Sequence, residues 1–381
     1  MQVPLLDLQK QYAAIREEVL SAISEVLDTQ LVSNGPAVRD FEAAAARYCG
    51  SKHALGVSSG TDALLMSLMA LEIGTHHPAC REGRTCDGCD EVIAPAFTFF
   101  GTAGSIWRAG AKPVFVDIDP VTFNIDPAKV EAAITERTRA ILPVHLYGQM
   151  ADMDAIMDIA ARHDLPVVED AAQSIGSECN GRRAGSIGTT GCFSFYPTKN
   201  LGAMGDAGLI TTNHAALDEK LQKLRNHGQS RTYIHDCVGG NFRMASVQAV
   251  ALSVKFRYLG GWTEKRRSNA ARYNELLAGC PGITTPVELP GRKHIYHQYV
   301  VRCDQRDGLQ AHLKAKGVAS GVYYPLGLHV QECFKGLGYK EGDFPETERA
   351  CREVLALPVH PELADEQVEY VAKSIREFCG A

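Results

Sequence analysis

The chain has 381 residues, 45% of them hydrophobic and 22% charged, and carries a net charge of -6. Acidic and basic residues are interspersed, which argues against binding to nucleic acid or to an anionic membrane. No segment is as long and apolar as a membrane span, and the start, MQVPLLDLQKQY, is unlike a signal peptide. We therefore expect a cytoplasmic protein with a large core and two lobes.

Predicted strands and helices alternate through the first part of the chain. HALGVSSG predicts a strand and turn, and TDALLMSLMALEIG predicts a helix with Thr61 as its N-cap and Gly74 beyond its end. KPVFVDID, RAILPVHLYG and LPVVEDAAQS predict buried strands. IDPAKVEAAI, with Asp126 as cap and Pro127 in first position, and MADMDAIMDIAARH predict helices. This alternation predicts an α/β fold with a mostly parallel sheet flanked by helices.

The pattern changes near residue 255. LGGWTEKRRSNAARYNELLAG predicts a basic amphipathic helix, which is followed by short strands and by a terminal helix, DEQVEYVAKSIREF. We therefore expect residues 1–254 to form an N-terminal segment and a large domain. Residues 255–381 are expected to form a smaller α+β domain.

Three chemically distinctive groups follow strand-like segments. Gly60 and Thr61 in SSGTDA offer backbone N–H groups at the start of a predicted helix, Asp170 ends VVED, and Lys199 lies in SFYPTKN. Each has an ordinary explanation, because such residues also form turns, cap helices or lie in solvent. In an open parallel sheet, however, ligands bind beyond the carboxyl ends of the strands.

An anion site, a carboxylate and an amine together match the needs of pyridoxal phosphate. The cofactor requires a lysine for its Schiff base, a carboxylate beside its pyridine nitrogen and an anchor for its phosphate. A nicotinamide enzyme is the competing interpretation, but the chain contains no G-x-G-x-x-G, and it has no Walker A motif either. We therefore predict a pyridoxal phosphate enzyme.

The order of motifs resembles the DegT/DnrJ/EryC1/StrS family of pyridoxal phosphate-dependent nucleotide-sugar aminotransferases. The resemblance runs from PLLDL, GPAVRDFE, SSGTDAL, APAFTF and VFVDID through VHLYGQ, VEDAAQSIG and CFSFYPTKNLGAMGDAG to GGNFRM and ALPVHPEL. It implies the fold of type I pyridoxal phosphate transferases. It also implies a homodimer with active sites at the subunit interface.

The resemblance assigns roles to individual residues. Lys199 would form the Schiff base and move protons, Asp170 would hold the pyridinium, and Gln173 would bond the cofactor's ring oxygen. Phe99 would stack on the ring, although core packing is an equally good explanation of this phenylalanine. Phosphate ligands would be Gly60, Thr61, Ser194 and, from the neighbouring subunit, Asn241.

The implied reaction passes an amino group from an amino acid, with L-glutamate as the expected donor, to a keto sugar linked to a nucleoside diphosphate. Pyridoxamine phosphate would carry the amino group between the two halves. The family's dehydratase branch has histidine where this chain has Lys199, so that branch is disfavoured. A non-enzymatic ligand sensor on the same fold stays an alternative.

Substrate contacts are harder to predict. The resemblance favours 3-keto over 4-keto sugars, on the segments RNHGQSRTY to NFRM and GGWTEKRR. Each candidate contact could equally be solvated surface or core. The candidates are Arg243, Lys293, Tyr323, Tyr324 and His329.

A cysteine-rich stretch, THHPACREGRTCDGCDEV, adds residues where the family has a short turn. Most of the 12 cysteines should be buried thiols, because disulfide frameworks are typical of short secreted chains. Cys86 and Cys89 have a spacing that lets two thiolates reach one metal, and His76, His77 and Cys80 lie nearby. A closed structural zinc held by His77, Cys80, Cys86 and Cys89 is one interpretation, and free thiols are the other.

Overall fold

A computed structural model describes residues 1–74 and 88–380. Its strands are β1 His53–Val57, β2 Glu91–Pro95, β3 Lys112–Val116, β4 Thr138–Ile141, β5 Val168–Asp170, β6 Glu178–Cys179, β7 Arg182–Arg183, β8 Thr190–Ser194, β9 Gly208–Thr212, β10 Gln229–Arg231, β11 Ile234–His235, β12 Ile283–Thr284, β13 Arg292–Lys293, β14 Tyr299–Cys303 and β15 Val354–Leu357. The α-helices are Leu8–Thr29, Pro36–Cys49, Gly60–Ala70, Phe100–Ala109, Pro127–Ala132, Met153–Arg162, Ala215–Arg225, Ser246–Phe256, Leu259–Leu276, Arg306–Ala315, Pro345–Glu353 and Asp365–Cys379. Short 3-10 helices lie at Leu146–Gly148, Leu328–Val330 and Glu332–Leu337.

The large domain is built on a seven-stranded sheet in the order β3-β2-β4-β5-β8-β9-β1. The hydrogen-bonded groups β3-β2-β4 and β5-β8-β9-β1 are joined where Ile141 bridges Val167 and Val144 bridges Asp170. All neighbours run parallel except around β9, which is antiparallel to β8 and β1. The predicted α/β fold with a mostly parallel sheet flanked by helices is therefore confirmed.

Local sequence rules account for most element boundaries. The helix Pro127–Ala132 begins as predicted, with Asp126 accepting a hydrogen bond from the Ala128 amide and proline in first position. The predicted cap of the helix Gly60–Ala70 is wrong by two residues, because Ser59, not Thr61, accepts the bond from the Asp62 amide. The predicted strand RAILPVHLYG begins at Arg139, and only its start belongs to a strand, β4 at Thr138–Ile141. Its end forms the 3-10 helix Leu146–Gly148.

The C-terminal part has a smaller sheet, β12-β14-β15, against which helices Leu259–Leu276, Arg306–Ala315 and Asp365–Cys379 pack around a common core. Val3 pairs with Val318, so the N-terminal segment lies against this part of the protein. The division of the chain at residue 254 stays a prediction. Among the described residues, no helix combines the length and apolar character needed to cross a bilayer.

Most of the described cysteines have the predicted character. Among the nine described free cysteines, six are buried: Cys49, Cys179, Cys192, Cys280, Cys303 and Cys351. Burial raises the pKa of the Cys49 thiol to about 12, which keeps it protonated and unreactive near neutral pH.

Candidate active site

A cavity of about 610 Å³ lies beyond the ends of β5 and β8, where chain segments from both parts of the protein meet. This is the edge at which open parallel sheets bind ligands. The cavity collects residues that the sequence analysis singled out separately. They are Gly60, Thr61, Phe99, Asp170, Gln173, Ser194, Lys199, Tyr323 and Tyr324.

Lys199 is the amine of this cavity. It follows β8 in a turn in which its amide donates to the Tyr196 carbonyl at 2.9 Å. Burial lowers the pKa of Lys199 to about 8, against the opposing attraction of the Asp170 carboxylate. A substantial fraction of the amine is therefore neutral near physiological pH, as a nucleophile or base must be.

Asp170 ends β5 and is 4% exposed. Its Oδ2 accepts a hydrogen bond from Thr102 Oγ1 at 2.7 Å, and its Oδ1 accepts one from the Ala172 amide at 3.2 Å. Burial raises the pKa of the carboxyl, while both hydrogen bonds and the Lys199 ammonium lower it. The carboxylate is thus fixed in direction and lines the cavity.

Gln173 has its side chain oriented by two contacts. Its Oε1 accepts a hydrogen bond from the Tyr147 amide at 2.7 Å, and its Nε2 donates to the Tyr324 hydroxyl at 3.1 Å. Tyr324 lines the cavity between Phe97 and Phe99, with ring centroids 6.1 Å and 6.3 Å away. Phe99 is 58% exposed, so it is not packed in the core of this chain.

The start of the helix Gly60–Ala70 lies directly against Ser194 in the wall of the cavity. Ser59, Gly60 and Thr61 supply the first turn, whose free N–H groups and dipole favour an anion. A Cβ on Gly60 would stand 2.7 Å from Cβ of Ser194. Glycine is required here by this close approach, and the resulting cradle has the form that a phosphate group needs.

Other predicted residues lie elsewhere in this chain. Arg243 donates to Asn226 Oδ1 at 2.5 Å, and Lys293 lies 3.6 Å from Glu264. His329 is fully buried, with Nε2 3.1 Å from Glu348 Oε1, and so does not face the cavity of this chain. Asn241 is exposed on a segment bridged to Asn226, outside the described lining of its own chain's cavity.

The zinc interpretation finds no support. His76, His77, Cys80 and Cys86 lie outside the described residues. Cys89 is 1% exposed and disulfide-bonded, so its sulfur is not a thiolate ligand. Residues 1–74 and 88–380 contain no group of three or more histidine, cysteine or acidic side chains placed to hold a metal.

Several polar residues of the cavity were missed from the sequence, among them Thr102, Arg266, His297 and Gln298. Thr102 lies in a small-residue helix with nothing to distinguish it from core. Arg266 was hidden within the basic run EKRRSNAAR, which resembles an ordinary solvated helix face. His297 lies four residues after the candidate Lys293, and no local pattern distinguishes it.

Comparisons with known proteins agree with this geometry. A model of the DegT/DnrJ/EryC1/StrS aminotransferase family matches residues 13–376. The chain is 52% identical to a protein of Geobacillus stearothermophilus named pleiotropic regulatory protein, over 99% of each chain. It is 43% identical to the UDP-N-acetyl-3-dehydro-alpha-D-glucosamine 3-aminotransferase of Acidithiobacillus ferrooxidans, over 98% of this chain and 97% of the relative.

Solved protein structures also resemble this fold. The DesV crystal structure from S. venezuelae, in complex with a ketimine intermediate, superposes with a TM-score of 0.94 and 41% identity, over 100% of this chain and 99% of that one. Fold, cavity and relatives define an aminotransferase. The chain belongs to the DegT/DnrJ/EryC1/StrS aminotransferase family.

Proposed function

We propose that this protein uses pyridoxal phosphate to transfer the amino group of L-glutamate to a 3-keto sugar linked to a nucleoside diphosphate. The observation that carries the proposal is the placement of one amine and one buried carboxylate in a single cavity with a glycine-bearing phosphate cradle. Each of these groups has an ordinary explanation alone. Because all of them lie in one cavity of an aminotransferase fold, a joint role in cofactor binding and catalysis is the better explanation.

The residues present fit this cofactor. Lys199 would bind its aldehyde carbon, Asp170 its pyridine nitrogen, and Gln173 its ring oxygen, while Ser194 and the first turn at Gly60 would hold its phosphate. Phe99 would cover the ring from one side. When bound, the cofactor supplies an electron sink that stabilises the carbanion formed as the amino acid loses its α-proton.

Lys199 would be the base of both half-reactions. With the amino acid bound, its free Nζ would take the proton from the carbon that bears the amino group and would return a proton to the cofactor carbon on the other side of the nitrogen. A pKa of about 8 suits both steps, because the amine can accept a proton near neutral pH and release it again. An amine in this position also favours the aminotransferase over the dehydratase alternative.

Several observations support the choice of substrate. The relative from A. ferrooxidans is named for amino transfer at position 3 of a UDP-linked 3-dehydro sugar. The cavity volume of about 610 Å³ lies within the range that holds ligands of several rings. Tyr323 and Tyr324 line the cavity, and in the proposed complex each would contact the sugar ring.

We also propose a homodimer that shares its active sites. Phe99 and Tyr196 line the cavity and are 58% and 53% exposed in the single chain, which is unusual for aromatic side chains outside an interface. A second copy covering this opening would bring Asn241 to the phosphate. This arrangement would also exclude water from the reacting carbon.

The test begins with the purified protein and its visible absorbance. Borohydride should attach the cofactor covalently at Lys199, as located by peptide mass analysis. Incubation with L-glutamate and a panel of 3-keto and 4-keto nucleotide sugars should then yield amino sugars from the 3-keto members. Lys199→Ala should keep the fold and lose turnover. Near-normal turnover of that variant, or a preference for 4-keto sugars, would contradict the proposal.

A regulatory role is the second candidate, since a relative that is 52% identical is named a regulatory protein. The same panel discriminates the two. A protein that binds nucleotide sugars and cofactor without transferring an amine would be a sensor.

A further inference from the structure

Arg266 is a buried cation in the cavity. It lies on the helix Leu259–Leu276, is 4% exposed, and lines the same space as Lys199. Its neighbours on that helix are different, because Lys265 reaches Asp365 at 2.9 Å and Arg267 reaches Glu288 at 3.0 Å. Arg266 has no carboxylate within 4.0 Å among the described residues.

The hydrogen bonds of Arg266 leave part of its guanidinium without a partner. One Nη donates to the carbonyls of Tyr296 and His297, at 3.3 Å and 3.2 Å. Nε is buried and has no partner, and the other Nη has none among the described residues. A guanidinium that lines a cavity with unused N–H donors can bind a planar anion such as a carboxylate through two parallel hydrogen bonds.

Burying an unpaired charge is costly. Removal from water lowers the pKa of Arg266 to about 10, against the opposing attraction of the Glu362 carboxylate, which is not in salt-bridge contact, and the guanidinium stays protonated near neutral pH. An anion in the cavity would offset the cost of desolvation, and so would be attracted strongly. A purely structural role would be satisfied by the two carbonyl contacts and would not require a cavity wall.

We propose that Arg266 binds the carboxylate attached to the reacting carbon of the amino donor. This inference rests on the proposed function and adds to it a residue that selects amino acids over other amines. The carboxylate of an amino acid is one bond from the carbon that carries its nitrogen. An arginine that recognises it must therefore lie close to the lysine.

The position of His297 supports that closeness. His297 lines the cavity, and burial, together with the positive charges of Lys199 and Arg266, holds its pKa well below the ordinary value. Its Nδ1 lies 3.1 Å from Asn200 Oδ1, in the segment that carries the lysine. Arg266 donates to the His297 carbonyl at 3.2 Å, so His297 connects Arg266 with the segment that carries Lys199.

The diphosphate of a nucleotide sugar is a poorer match. In that substrate, ring atoms separate the phosphates from the 3-keto carbon, so an anion site near Lys199 is too close to the reacting carbon. Two linked phosphates also need more donors than one partly used guanidinium supplies. A single carboxylate fits the unused part of the fork.

The first test is binding without turnover. We would measure the dissociation constant of maleate, a dicarboxylate that cannot donate an amine, by calorimetry on the cofactor-loaded protein and on Arg266→Met and Lys265→Met. Loss of a charged hydrogen-bonded pair should weaken maleate binding about 10- to 100-fold in Arg266→Met. The Lys265→Met control, at a half-buried position on the same helix, should bind maleate as the wild type does. Equal maleate binding by all three proteins would overturn the proposal.

The second test separates the half-reactions in single-turnover measurements. Arg266→Met should raise the KM for L-glutamate while leaving the rate with the keto sugar unchanged, and it should stop discriminating L-glutamate from its α-carboxamide analogue. Equal losses in both half-reactions would assign Arg266 a structural role. If Arg266→Met does not fold, Arg266→Lys keeps the charge but not the fork, and unchanged discrimination by that variant would overturn the proposal. A wild type that accepts no amino donor would refute the proposed function, while maleate binding would still decide the carboxylate site.

Discussion

Thr102 Oγ1 donates a hydrogen bond of 2.7 Å to Asp170 Oδ2, and both side chains are buried. Thr102 Oγ1 also lies 3.1 Å from Thr98 Oγ1, so the carboxylate ends a short chain of hydroxyl groups. The bond stabilises the charged carboxylate against burial, which raises the carboxyl's pKa. A carboxylate held in this way can keep a pyridine nitrogen protonated.

Removing that hydroxyl should weaken the chemistry without changing the fold. In Thr102→Val the carboxyl loses a charged hydrogen bond, so its pKa should rise further and kcat should fall about 10-fold. Thr102→Ser keeps the donor and should behave nearly as the wild type. The measurement is kcat together with the visible spectrum across pH. A valine variant with an unchanged spectrum and unchanged kcat would show that Thr102 serves packing alone.

Asp170→Asn tests the carboxylate directly. The amide has nearly the same shape and can still accept from Thr102, but it cannot neutralise a protonated pyridine. We expect the melting temperature to change little and turnover to fall by about two orders of magnitude. Turnover and the cofactor spectrum, measured beside thermal unfolding, separate the two effects. An active variant with an unperturbed spectrum would leave Asp170 with a structural role only.

Gly60→Ala should damage the phosphate cradle. The new Cβ would lie 2.7 Å from Cβ and 3.1 Å from Cα of Ser194, neither of which is a flexible group that can turn away. The start of the helix must shift, at a cost of about 1–3 kcal/mol. We expect weaker cofactor binding, measured by titrating cofactor-free protein. Gly260→Ala is the matched control, since nothing lies within 4 Å of its added Cβ. Equal cofactor affinities of the two variants would contradict the proposed phosphate site at Gly60.

The buried amine predicts a pH-dependent stability of the cofactor-free protein. The folded pKa of Lys199 is about 8 and its ordinary value is 10.5, so folding disfavours the charged form. The resulting destabilisation is complete below pH 8 and disappears as the pH rises to 10.5. It amounts to about 3 kcal/mol at most, at about 1.4 kcal/mol per pKa unit.

Lys199→Met removes the amine with little loss of volume. Near pH 7 the cofactor-free variant should therefore be more stable than the wild type, and its advantage should shrink between pH 8 and 10.5. Denaturant unfolding of both proteins at several pH values measures this. A constant difference across that range would mean that Lys199 titrates in the folded protein as it does in water.

The sequence predicted the sheet well because buried parallel strands and capped helices have local signatures, as at Asp126 and Pro127. From local pattern it predicted the cavity at the ends of strands, at Asp170 and Lys199, whereas Gln173, Tyr323 and Tyr324 were indicated by the family resemblance. Arg266 and His297 reach the cavity from the C-terminal part of the chain, and no local pattern indicates that packing. Thr102 was missed because its importance depends on a bond to a residue 68 positions away.

Asn241 is the residue whose predicted role depends most on a second subunit. It is exposed, and its backbone is held by a bridge to Asn226, whose side chain also accepts a hydrogen bond from Arg243. The segment is thus fixed in place on the surface, away from its own chain's cavity. In the proposed dimer it would contact the phosphate bound by the partner.

Hybrid dimers test that arrangement. A mixture of Lys199→Ala and Asn241→Ala subunits forms some dimers in which one of the two sites has both a native lysine and a native asparagine, provided that the site draws these residues from different chains. After dissociation and reassociation, the mixture should therefore regain activity above either parent, up to about a quarter of the wild type when half of the dimers are hybrids with one intact site each. If both residues belonged to one chain, each site would lack one of them and the mixture would be no more active than its better parent. A control mixture of Lys199→Ala with Lys199→Met must stay inactive in either case.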